Sequence, residues 1–171
     1  MSNPQSQRFA FLGPVGTFTE AALAKITCDS DVKVPYANVT AALDAVRKGD
    51  ADYALVPIEN SVEGVVARTL DELASGDPLT IAGEVTLPVT FAFMVKPGTT
   101  EIKRIGTHPH AESQCREYIA RTYPHAEVVP TASTSAAAEA VSKGELDAAI
   151  ASSAAAQHFG LEIRQENIGD N

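Results

Sequence analysis

Glu59, Asn60 and Ser61 stand in a row, directly after the apolar run Tyr53-Ala54-Leu55-Val56 and shortly before Gly64. A carboxylate, an amide and a hydroxyl at the mouth of a buried strand can do one of two things. They can cap a following helix, for which Asn and Ser are good residues, or they can grip a ligand. Capping uses one such side chain. Three together point to ligand binding. Similar polar turns occur at Gly13-Pro14-Val15-Gly16-Thr17, at Thr107-His108-Pro109-His110 and at Thr131-Ala132-Ser133-Thr134. Thr17, Ser61, Thr107, Ser133 and Thr134 all precede predicted helices, whose N-terminal N–H groups favour anions. His108 and His110 lie two apart, but no third histidine is near in sequence to complete a metal site.

The elements that must position these turns alternate. A strand is expected at 8–12, a helix from Thr17 to about Thr27 with Glu20 at capping-box spacing, and a short strand near 32–35. An Ala-rich helix follows over 41–48 and stops at Gly49. Then come the strand at 53–56 and a helix over about 65–74. Strands alternating with helices argue for parallel βαβ units.

The second half repeats the first. Residues 39–61, VTAALDAVRKGDADYALVPIENS, lie over 134–156, TSAAAEAVSKGELDAAIASSAAA, without a gap at an offset of 95. The alanines carry little weight, but the shared Lys-Gly-acid-x-Asp-x-Ala turn does. The same offset sets Pro14 over Pro109 and RFAFLGPVGTFTEAAL over KRIGTHPHAESQCREY. Two lobes of like design follow: 1–80, then 81–163, with 164–171 returning toward the first. Between them, 81–87 and 89–95 are expected as two strands broken at Pro88, the first crossing between lobes. Two crossings imply a hinge and a central cleft, with the polar strand ends facing it.

Composition bounds the partners. The chain has 13 Lys+Arg against 22 Asp+Glu, a net charge of −9. That balance argues against a nucleic-acid surface, and an anionic ligand would have to be held by local dipoles. No apolar run is long enough for a membrane span, and the polar first eight residues point to the cytoplasm. Cys28 and Cys115 are expected as packed thiols, not as a disulfide framework.

The stretches FLGPVGTFTEAA, DYALVPIENSVEG, THPHAESQC and TASTSAAAEAV, in this order and spacing, resemble the prephenate dehydratase family over nearly the whole chain. The resemblance implies an α/β fold of two lobes, like the type II periplasmic binding proteins. It also implies conversion of prephenate to phenylpyruvate, CO2 and water, with no cofactor. By that resemblance Asn60 hydrogen-bonds substrate, Glu59 orients it or shapes the local field, and Thr107 stands where Ser is frequent. Gln114 matches a Gln tied to activity, so that Asn60, Glu59, Thr107 and Gln114 are the expected catalytic set, and Ser133-Thr134 matches a pair lining the site. Thr17, Ser61 and His108 are further expected substrate contacts. Phe18 is expected in the core rather than against the substrate ring. His110 departs from the family, where Gln is common.

The family's Thr-Arg-Phe motif, whose Thr looks like the proton donor, does not occur in these 171 residues. Neither does the phenylalanine-binding ACT domain that normally follows it. The expectation is therefore a truncated catalytic domain with weak or no turnover, no feedback by phenylalanine, and an exposed edge on the first lobe's sheet. The longer form is expected as a dimer or tetramer. Two other readings fit parts of the chain. A two-lobed module that binds a small anion without chemistry would share the fold. A nucleotide-binding enzyme would use the glycine-rich turn at 13–17, but no Gly-Lys-Ser/Thr follows it.

Overall fold

The structure, a computed structural model, describes residues 6–62 and 64–170. The chain divides into two compact units, Met1–Pro14 with Thr19–Leu87, and Val15–Phe18 with Pro88–Asn171.

In the first unit β1 (Arg8–Leu12) lies between β2 (Val32–Tyr36) and β3 (Tyr53–Leu55) in a parallel sheet. Helix α1 (Phe18–Leu23) begins at the boundary between the units and is shorter than expected. Helix α2 (Val39–Arg47) buries Val39, Ala42, Leu43 and Ala45, the apolar stripe of a 3.6-residue period. Asn38 starts it, its side chain accepting the Ala41 N–H at 2.9 Å. A two-stranded hairpin, β4 (Glu59–Asn60) and β5 (Gly64–Val65), then precedes α3 (Ala67–Ser75).

The chain from 77 to 91 forms no strand, against the expectation of a crossing strand at 81–87. Ile81 is 71% exposed. An apolar alternation becomes a strand only where another strand takes up its N–H and C=O groups, and these residues gain no such partner.

The pairing begins at β6 (Ala92–Val95) in the second unit. There β7 (Arg104–Thr107) leads into α4 (Pro109–Gln114) and α5 (Arg116–Thr122), then β8 (Glu127–Pro130) and α6 (Thr134–Ser142). The chain continues through β9 (Ala148–Ala151), α7 (Ser153–Phe159) and β10 (Glu162–Gln165). The sheet order is β10-β6-β9-β7-β8, with β7 parallel to β8 and β9, and β6 antiparallel to β9 and β10. Successive side chains of β6 and β9 point to opposite faces. Phe93, Val95, Ala148 and Ile150 therefore join one core with Ile105, Cys115 and Ile119. Ala92, Met94, Ala149 and Ala151 join the other with Ala137, Val141 and Ala155.

The repeat is structural. The bounds of α2 and α6, Val39–Arg47 and Thr134–Ser142, differ by the offset of 95 at both ends. Each helix is N-capped by the side chain before it, Asn38 or Ser133. Each is followed by a glycine at φ +78°, Gly49 or Gly144. The gapless alignment fails at the first strand of each copy. Asp52 accepts the Arg8 N–H at 2.8 Å, and Asp147 accepts the Arg104 N–H at 2.8 Å. Asp147 also accepts the Lys103 N–H at 2.9 Å, but its own N–H donates to Arg104 O as that of Asp52 donates to Arg8 O, so the counterpart of Arg8 is Arg104. A register error of one would turn every side chain of the strand to the wrong face. The shift restores Phe9 to Ile105, both buried.

Candidate active site

In the first unit the polar triplet caps no helix. Glu59 and Asn60 are the short strand β4, and α3 starts only at Ala67, where Val66 makes no side-chain cap bond. The direct turn into a helix expected after Ser61 is replaced by the hairpin. Asn60 shapes that hairpin: its Oδ1 accepts the Val62 N–H at 2.9 Å, an Asx turn. Glu59 and Ser61 are exposed and Asn60 is half-buried. Thr69, which nothing in the local sequence pattern singles out, braces the segment from below. It is buried and donates its hydroxyl to Pro57 O at 2.6 Å, while Val66 N–H donates to Ile58 O at 2.9 Å.

In the second unit Thr107 ends β7, is fully buried, and donates to Ile150 O at 3.0 Å. His108 is the N-cap of α4; its Nδ1 accepts the His110 N–H at 3.3 Å, and the two rings meet edge to face at 4.8 Å. Gln114, half-buried at the end of α4, donates its amide to His110 O at 3.3 Å. Ser133 caps α6, its Oγ accepting the Ala136 N–H at 3.0 Å, and Thr134 is the first residue of that helix. Thr131 donates to Ser133 O at 2.8 Å and so holds the approach to the cap.

Thr17 is carried to the same end of the unit by two buried serines. Ser135 donates to Val15 O, and Ser152, the N-cap of α7, donates to Gly16 O at 3.0 Å. Gly16 is required here. Its φ is +77°, and a Cβ would stand 2.8 Å from Ser135 Oγ and 3.3 Å from Ala155 Cα. The loop that bears Thr17 therefore lies against the first turns of α6 and α7, where Ser133 and Thr134 are found. Sequence reasoning placed Ser152 at a strand end and did not single out Ser135. The available signal was Gly16 itself, a glycine fixed between two helical serines. Phe18 packs edge-on against Phe91 at 5.6 Å between centroids, in the core as expected.

Among the described residues, no group of three or more His, Cys, Asp or Glu side chains could hold a metal ion, and no helix is long and apolar enough to cross a membrane. Burial, reinforced by Asp170, pushes the Cys115 thiol up to about 12. At neutral pH it is a packed thiol, not a nucleophile.

A doubled βαβ kernel with polar side chains at the turns from strand to helix defines an α/β protein built from two like halves. The family is specific. The prephenate dehydratase model matches residues 9–171, and the chain belongs to that family. The prephenate dehydratase of Amycolatopsis methanolica is 45% identical over 163 residues, covering 95% of this chain and 54% of that protein. That of Mycobacterium leprae is 47% identical over 174 residues, with the same shares of each chain, 95% and 54%. The crystal structure of prephenate dehydratase in complex with L-Phe from Arthrobacter aurescens has a TM-score of 0.86 at 44% identity, covering 96% of this chain and 56% of that one. GqqA, described as a novel type of quorum quenching acylase, has a TM-score of 0.81 at 31% identity, covering 96% and 60%. The chain spans about half the length of the curated relatives it matches.

Proposed function

We propose that this chain carries the substrate site of a prephenate dehydratase, a hydro-lyase of phenylalanine biosynthesis working in the cytoplasm. The observation that carries the reading is membership of the family over residues 9–171. In the proposed reaction the bond from the ring to the departing carboxylate breaks, and its electron pair moves into the ring. The ring hydroxyl leaves with a proton as water, and the ring becomes aromatic. Atoms balance as phenylpyruvate, CO2 and water, and no redox step or electron sink is involved. The protein's tasks are to hold two carboxylates, to orient the ring and to deliver one proton.

Asn60 is assigned to hydrogen-bond the substrate. Its Oδ1 accepts the Val62 N–H, which fixes the orientation of the amide at the hairpin. Glu59 beside it shapes the field at the hairpin. Thr107, buried against Ile150 O, is assigned the role of fixing the strand end from which His108 and Gln114 project. Thr17, Ser61, His108, Ser133 and Thr134 are assigned to carboxylate binding, with the α6 N-terminus supplying dipole and N–H groups. A chain of net charge −9 can bind a dianion in this way, because local donors outweigh a screened global field.

The test is conversion of prephenate, followed as phenylpyruvate absorbance in strong alkali. It compares the chain as it stands, the chain lengthened to the span of its relatives, and Asn60→Ala in both. Activity in the lengthened chain that falls at least about a hundredfold with Asn60→Ala is expected, the size of an effect from one lost transition-state hydrogen bond. A lengthened chain that binds prephenate but never converts it would replace the enzyme with a binding module.

A further inference from the structure

Helices α4 and α5 could have been one helix. They are parted at Cys115, which adopts φ −126° and ψ 17°. In an uninterrupted helix the Tyr118 N–H would donate to Gln114 O, four residues back. Here that bond is opened, and one residue from 52 positions further along fills the gap on both sides. The Asp170 N–H donates to Gln114 O at 2.7 Å. The Asp170 carboxylate accepts the Tyr118 N–H at 3.2 Å and the Glu117 N–H at 2.9 Å. The segment bearing Asp170 is itself anchored: Ile168 is buried beside Phe91 and Cys115, and its N–H donates to Phe91 O at 3.0 Å.

We infer that Asp170 is a positioning residue for Gln114. It wedges the helix open at the point where α4 ends, and it holds the Gln114 carbonyl and the freed N–H groups of α5 in place. The side-chain amide of Gln114 is thereby presented from a helix end instead of the side of a continuous helix. This inference rests on the proposed function, since it assigns a purpose to the Gln114 amide. The sequence contains no local sign of it, because Asp170 and Gln114 are 56 residues apart and the wedge is made of backbone bonds.

The test measures affinity for prephenate by calorimetry in the parent chain, Gln114→Ala, Asp170→Ala, Asp170→Asn and the double variant Asp170→Ala/Gln114→Ala. Amide exchange at Glu117 and Tyr118 reports the wedge directly. Exchange at those two amides is expected to quicken about tenfold in Asp170→Ala, the consequence of a lost charge-assisted hydrogen bond. Affinity is expected to fall in Asp170→Ala by the same factor as in Gln114→Ala. Asp170→Asn, which keeps one acceptor oxygen, should regain part of the loss. The double variant should be no weaker than either single one, as for residues acting through each other. Losses that multiply in the double variant, or parent affinity in Asp170→Ala beside a weakened Gln114→Ala, would overturn the inference and leave the proposed function intact. A parent chain that binds no prephenate, both as it stands and lengthened to the span of its relatives, would remove the proposed function, and this inference with it.

Discussion

At the residue scale, the same backbone angle means different things at Gly16 and Gly49. Both have φ near +77°, the left-handed region that L side chains rarely adopt. Gly49 has nothing within 4 Å of where a Cβ would be, whereas Gly16 is pressed against Ser135 and Ala155. Gly49→Ala should cost only the conformational penalty, about 1–2 kcal/mol. Gly16→Ala should add a packing penalty of about 1–3 kcal/mol as Ser135 and Ala155 are pushed aside. Urea unfolding of the two variants makes the comparison, since the midpoint shifts scale with these costs. Equal losses would show that the loop yields freely and is not clasped. Asn60 belongs at this scale too. Its type was singled out for ligand binding, while its Asx turn belongs to a hairpin that no single residue announces.

At the scale of elements, α2 and α3 are tied by a polar cluster outside the proposed site. Glu72, almost buried, accepts from the Thr40 hydroxyl at 2.8 Å, from Arg68 at 2.7 Å and from Arg47 at 3.0 Å. Arg47 also pairs with Asp44 at 2.9 Å and donates to Glu72 O at 2.9 Å. The Thr40 hydroxyl, and after it Arg47, hold the Glu72 carboxyl below its ordinary value. The unfolded chain therefore takes up this proton at higher pH than the folded protein does. The contribution to stability is whole above the ordinary glutamate pKa of about 4.3 and is lost as pH falls through the lower folded value. Glu72→Gln should be less stable than the parent at pH 7, and the difference should shrink below about pH 4, where the parent's carboxylate begins to protonate. Thermal unfolding of both proteins from pH 3 to pH 7 measures it. A difference that stays constant over that range would mean the charge on Glu72 contributes nothing. In the second unit Ser135 stands at the repeat position of Thr40. There the same hydroxyl is turned to Val15 O, so the repeat preserved the element and changed the use of the side chain.

At the scale of the whole molecule, the two units are built to different depths. The second has a five-stranded sheet with a core on each face, in which β6 and β9 are buried at every position. The first has a three-stranded parallel sheet, and β2 is exposed or half-buried along its length. Opening free energy follows buried apolar contact and enclosed hydrogen bonds. Native-state hydrogen exchange should find the slowest amides in β6, β7 and β9, with β2 and β3 exchanging faster. Uniform protection across both sheets would contradict this ordering and indicate that the chain opens as one cooperative body.

The sequence by itself determined the alternation of strands and helices, the doubling at an offset of 95, and the bounds of α2 to within two residues. It also carried the motifs that place the chain in its family. Those features are local: apolar period, capping residues and the glycine that ends a helix act within a few positions, so they can be read from neighbours in the chain. Only the tertiary structure decided that 81–87 is not a strand, that the copies slip by one residue at β1 and β7, and that Glu59-Asn60-Ser61 opens a hairpin. It alone also parted α4 from α5 around Asp170 and set Ser135 and Ser152 on the loop bearing Thr17. Each of these depends on which distant group takes up a backbone N–H or C=O. The bonds run from Ser152 to Gly16 and from Asp170 to Gln114, across 136 and 56 residues. A hydrogen bond of that span leaves no periodic trace in the segments it joins, because its geometry exists only once the sheet and helices have brought the two ends together.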